Sequence, residues 1–111
     1  MSRRAGSRFV VMYRWRLHEK LEPQFIEAWV RVTERLLKNG GSLGSRLHRG
    51  SDGIWYGYAQ WPSDAVRQAA FGLPGGESDR DQMGAAIAER LPEVILDTVA
   101  DYLVTASESE A

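Results

Sequence analysis

Hydrophobic periodicity switches repeatedly along this chain, and the order of the switches limits the fold more than any single motif does. Residues 8–17, RFVVMYRWRL, alternate with period two. Phe9, Val11, Tyr13, Trp15 and Leu17 fall on one face, with Val10, Met12, Arg14 and Arg16 on the other. Alternating β-branched and aromatic residues predict a strand. The period then lengthens in EPQFIEAWVRVTERLLKN, where Phe25, Trp29, Val32 and Leu36 share one helical face and Ile26, Val30 and Leu37 widen the stripe. Pro23 suits the first turn, and Gly40–Gly41 end the helix where a left-handed residue is wanted.

Period two returns over 43–49, LGSRLHR, and 54–61, IWYGYAQW. The intervening GSDG reads as a hairpin turn, because Asp-Gly tolerates positive φ. Pro62 stops the second of these strands, and Ser63 or Asp64 can cap a short helix over AVRQAAF. GLPGGESD reads as a connection, and QMGAAIAERL as a third helix ended by Pro92. Residues 93–105, EVILDTVADYLVT, fit a last strand with Val94, Leu96, Ala100, Tyr102 and Val104 on one face, although a helical start stays open.

Strand, helix, strand, strand, split helix, strand is the succession of the ferredoxin-like split βαβ arrangement: an α+β fold with helices on one face of an antiparallel sheet. The second sheet face would expose apolar and aromatic groups at a cost of about 25 cal/mol per Å². Pairing two sheets face to face removes that cost, so a two-fold homodimer is expected. The domain is expected over 8–105, between a frayed terminus at 1–7 and a disordered acidic tail at 106–111.

Composition narrows the partners. Fourteen basic residues balance fifteen acidic ones, which argues against a nucleic-acid footprint. With no Cys, disulfide and thiolate chemistry are excluded. No apolar run approaches the roughly 18 residues of a spanning helix, and MSRRAGSRFVV lacks a signal-peptide core. A cytoplasmic protein without membrane contact is the expectation. His18 and His48 are isolated, so no metal site is expected.

The strand over 54–61 carries the chemistry. One row reads Trp55, Gly57, Ala59, Trp61 and the other Ile54, Tyr56, Tyr58, Gln60. Positions 55 and 61 are about 20 Å apart at roughly 3.3 Å per residue, with almost no side chain between them. If that row faces the helices, it floors a recess walled by indoles, suited to a flat apolar ligand. Alternatively, Gly57 and Ala59 let a helix approach closely, with Phe25 or Trp29 filling the space.

LHRGSDGIWYGYAQWPSDAV, residues 47–66, resembles the hairpin, strand and helix entry of the antibiotic biosynthesis monooxygenase family, dimeric α/β barrels. It is most similar to the quinone-forming members, which have a His before the hairpin, here His48, and YAQW before the helix. The element order extends the resemblance over 8–105. It implies a cofactor-independent monooxygenase acting with O2 on an aromatic, polyketide-like or phenolic small molecule. A deprotonated electron-rich ring hands an electron to oxygen itself, so no cofactor is implied.

The family's cavity-lining Trp falls on Trp61, and the resemblance makes Trp61 and His48 the catalytic candidates. Trp55, Gly57, Ala59, Phe25 and Trp29 join Trp61 as substrate-binding candidates, with Arg80 or Arg90 in the place of the family's Arg before the last strand. Where quinone-forming members have an Asn, this chain has Gly57, which enlarges the recess and removes a polar group. That departure keeps two alternatives open: an isomerase- or cyclase-like enzyme, or a dimeric small-molecule-binding protein. Haem-degrading members need an axial His after the third strand, where AVRQAAFG has none.

Overall fold

The computed structural model describes residues 8–104; the frayed start expected at 1–7 and the acidic tail at 106–111 lie outside the described residues. Strand β1 (Phe9–Leu17) leads through a 3-10 turn at Glu19–Leu21 into helix α1 (Glu22–Asn39). Strands β2 (Ser45–Arg49) and β3 (Trp55–Trp61) form the hairpin, followed by α2 (Asp64–Phe71), α3 (Glu77–Ala85) and β4 (Ile87–Leu96). The sheet order is β2-β3-β1-β4, with every neighbouring pair antiparallel. This is the ferredoxin-like α+β architecture expected from the order of periods.

Local chemistry explains the boundaries. Glu22 in the first turn of α1 and Lys38 in the last oppose the helix dipole. The Gly40 N–H bonds the Leu36 carbonyl at 2.9 Å, and Gly41 takes φ +78°, the conformation anticipated there. In the hairpin, the Asp52 carboxylate accepts from the Ile54 N–H at 2.9 Å, and Gly53 adopts φ +83°. Ser63 caps α2 by accepting from the Val66 N–H at 3.2 Å.

Only part of the α1 stripe is buried. Phe25 and Ala28 sit in the core, whereas Ile26, Val30 and Leu37 are exposed. A helix lying on one sheet face covers a limited arc, so the wider stripe turns outward.

The last third of the chain departs from the sequence expectation. The helix expected over 82–91 is helical only to Ala85, and β4 begins at Ile87 and runs through Pro92. Ala-rich AAIAERL has helix propensity, but pairing with β1 overrides it. Proline fits here because β4 is an edge strand and its pairing slips: Met12 faces Val94 while Arg14 faces Leu91. The bulge also turns the Pro92 carbonyl toward the Arg14 guanidinium, which donates two hydrogen bonds at 2.9 and 3.1 Å. The strand expected over 93–105 stops at Leu96, and the following segment reaches over Val10 on the second sheet face.

Candidate functional site

The β3 alternation falls as anticipated. Trp55, Gly57, Ala59 and Trp61 are all buried beneath the helices, while Tyr56, Tyr58 and Gln60 lie on the opposite face. The two halves of the buried row have different fates.

At the Trp55 end the protein fills its own gap. The Trp15 indole crosses from β1 into the space left by Gly57. It meets Phe25 edge-on at 5.1 Å between ring centroids, and Phe25 meets Trp55 at 6.0 Å. Trp55 and Phe25 therefore belong to a closed aromatic cluster and do not line the cavity, contrary to the expectation from the row. This half follows the close-packing alternative, with Trp15 and Phe25 as the filling groups.

At the Trp61 end a cavity of about 320 Å³ survives between sheet and helices. Gly57, Ala59 and Trp61 form its floor, Trp29 and Leu36 approach from α1, and Phe71 closes from α2. Phe71 stands edge-on to Trp61 at 5.8 Å. Among the described residues the Trp61 indole N–H is buried without a hydrogen-bond partner. Such an orphan donor costs about 1–3 kcal/mol. Arg80 and Arg90 both reach the cavity wall. Arg80 is held by the Gly75 carbonyl at 2.9 Å and by Glu77 at 3.4 Å.

One polar cluster at this cavity has no counterpart in the sequence expectation. Arg67 on α2 is only 7% exposed. Its guanidinium donates to the Tyr13 hydroxyl at 3.1 Å, to Glu93 at 3.1 Å and to Asp64 at 3.0 Å, and it lies 5.2 Å over the Phe9 ring. Tyr13 and Glu93 line the cavity. Burial raises the Tyr13 phenol above its ordinary value, and the Arg67 hydrogen bond offsets part of that rise. Burial also opposes the Arg67 charge, but its hydrogen bonds to Tyr13 and Asp64 prevail and keep the guanidinium protonated. A lone Arg among the apolar residues of AVRQAAF was the available signal, since a buried cation requires partners.

His48 lies elsewhere. It pairs with Tyr56, is exposed, and occupies the sheet face opposite the cavity. The geometry does not bring it to Trp61, which corrects the expectation of a Trp61–His48 pair at one site. Among the described residues no group of three His, Asp or Glu side chains can hold a metal ion, and no helix is long and apolar enough to cross a membrane.

The geometry defines a ferredoxin-like protein with an indole-walled cavity between its sheet and helices. No family model and no curated protein matches the sequence. Solved structures do match. A Caulobacter crescentus protein provisionally named an antibiotic biosynthesis monooxygenase is 16% identical with a TM-score of 0.73, covering 86% of this chain and 93% of its own. SnoaB, a cofactor-independent oxygenase from Streptomyces nogalater, is 15% identical with a TM-score of 0.71, covering 84% and 94%. A conserved protein from Methanosarcina mazei is 10% identical with a TM-score of 0.70, covering 82% and 92%. This chain has the fold of the antibiotic biosynthesis monooxygenase structures.

Proposed function

We propose that this chain is a member of the antibiotic biosynthesis monooxygenase family that oxidises a flat phenolic or polyketide-like aromatic with O2, without a cofactor. The observation that carries the reading is the cavity itself: about 320 Å³ bounded by Trp29, Trp61 and Phe71, with a few polar side chains such as Tyr13 and Thr33 in a mainly apolar lining. Ligand sites for flat organic molecules have this composition. The likeness to SnoaB supports oxygen chemistry without a cofactor.

For an anthrone the overall change is one O2 consumed, one ring CH2 converted to C=O and one water released. The deprotonated ring supplies the first electron to oxygen, the two radicals combine at carbon, and the resulting peroxide loses water. The protein's part is to hold the ring between Trp29 and Trp61, exclude water and place donors near developing charge, where preorganised groups act most strongly. His48 has no part in this reading, because it lies on the far side of the sheet.

The test is oxygen uptake by metal-free, flavin-free protein with anthrones and hydroquinones. Uptake with quinone formation is expected. Tight aromatic binding without uptake makes the chain a small-molecule-binding protein, one of the two alternatives that Gly57 keeps open. Turnover without oxygen makes it isomerase- or cyclase-like.

The reading includes a homodimer. Val94, opposite Met12 on the second sheet face, and Val99, beyond the end of β4, are 42% and 82% exposed, apolar surface suited to a second copy.

A further inference from the structure

We propose that the Tyr13 hydroxyl, held by Arg67, is the donor that recognises an oxygen atom on the edge of the cavity's guest. The inference rests on the cavity being the ligand site, but not on the guest being oxidised.

The register makes Tyr13 the side chain directly opposite Gly57, on the cavity face of β1. Position 57 offers the ligand no polar group, so the cross-strand neighbour provides it. The phenol ring is fixed against the Trp15 indole, with centroids 6.0 Å apart and planes inclined by only 15°. Its oxygen accepts from Arg67 Nη1 at 3.1 Å. Arg67 is anchored on Asp64 and Glu93 and cannot accept a hydrogen bond in return. The Tyr13 proton is therefore left for another acceptor, and the adjacent cation strengthens the phenol as a donor. Among the described residues Tyr13 donates to no protein atom. Thr33 and Ser45 also reach the cavity, but neither hydroxyl is held by a buried cation.

Arg67 does not itself line the cavity. It is a positioning residue that fixes where the phenol oxygen sits. The ligand class that follows is a planar aromatic with a keto or phenolic oxygen on its rim, its apolar faces against indoles. An acceptor oxygen is favoured over a bare hydrocarbon of the same shape, because a site built to hydrogen-bond discriminates against the analogue that leaves it unpaired.

The experiment measures binding of fluorenone and fluorene, planar tricycles of nearly equal shape with and without a keto oxygen. Wild-type protein is expected to prefer fluorenone by about fivefold to tenfold. Tyr13→Phe should reduce that preference to within about twofold while leaving fluorene affinity unchanged, which also shows that the variant is folded. Arg67→Met should reduce the preference in the same direction, and Tyr58→Phe, on the other sheet face, should leave it intact. A preference that survives Tyr13→Phe overturns the proposal, as does an equal loss of both probes. Failure of wild-type protein to bind either probe overturns it together with the cavity reading. Oxygen uptake is scored separately, so an inactive protein with the predicted preference sinks only the oxygenase assignment.

Discussion

Gly57 and Trp15 share one volume. A β carbon at position 57 would lie 2.7 Å from the indole Cη2 and 2.9 Å from Cζ3, closer than real contacts allow. The indole is flanked by Tyr13 and Phe25, so giving way means leaving its aromatic partners and moving toward the cavity that it also lines. Gly57→Ala should therefore destabilise by about 1–3 kcal/mol, the usual cost of overfilling a core. Gly57→Asn, which introduces the residue of the quinone-forming proteins that the hairpin sequence resembles, should cost more. Denaturant midpoints check this, and an unchanged midpoint for Gly57→Ala would mean that the indole moves freely.

The two β3 faces separate ligand effects from stability effects. Trp61→Phe removes part of the cavity wall and should weaken aromatic binding by about 1–2 kcal/mol, as for a lost aromatic contact. Tyr56→Phe removes a hydroxyl bonded to Asp52 on the opposite face and should leave binding unchanged. Titration with fluorenone measures both. Equal losses would show that the guest does not lie against Trp61.

Period two fixes a side chain's face whatever its neighbours do, which is why the buried row Trp55 to Trp61 was legible in the sequence. The cavity was half legible. Ala59 and Trp61 line it, but the filling group at Gly57 is an indole from β1, and cross-strand register is not written in either strand alone. Register also decides His48: once the hairpin pairs it with Tyr56, it belongs to the far face. The Ile87–Leu96 strand was hidden because Ala-rich sequence and Pro92 both argue locally for a helix and its end. An edge position and a bulge reverse both arguments. Tyr13, Arg67 and Glu93 come from β1, α2 and β4, so only the folded chain assembles them.

The Tyr13 phenol gives the alkaline limb of stability a defined sign. Its pKa is raised in the fold, chiefly by burial, above the ordinary 10.0. As pH rises past 10.0 the unfolded chain loses this proton first, so the folded state then holds more protons and stability falls. The contribution is complete below that value. Tyr56, raised by its hydrogen bond to Asp52, acts in the same direction. Unfolding by urea at about pH 9 and about pH 11 should show a smaller alkaline loss in Tyr13→Phe than in wild type. Identical losses would place the phenol in water.

Assembly should be visible in solution. Val94 on the second sheet face and Val99 beyond β4 present apolar surface that a second copy can cover, and a chain of this size gains from doing so. Light scattering is expected to give twice the single-chain mass, and Val99→Asp should shift the population toward monomer by placing a charge in the contact. A wild-type mass of one chain removes the dimer from the proposed function.

Two arginines with similar hydrogen-bond lengths should differ in worth. Arg31 meets Asp79 at 2.7 Å, but its side chain is 45% exposed, so water competes for the guanidinium, and Arg35 stands 3.8 Å from the same carboxylate. Arg31→Met should cost under about 1 kcal/mol. Arg67 makes longer bonds, 3.0 Å to Asp64 and 3.1 Å to Glu93, yet its side chain is only 9% exposed. Removing it strips the Tyr13 oxygen of its donor and takes the guanidinium off the Phe9 ring. Its carboxylate partners are each nearly half exposed and can turn to water, which keeps the penalty below that of a fully buried pair. Arg67→Met is therefore expected to cost about 1–3 kcal/mol, read as a lower denaturant midpoint. If it costs no more than Arg31→Met, burial is not what gives this cluster its strength, and the oriented phenol loses its support.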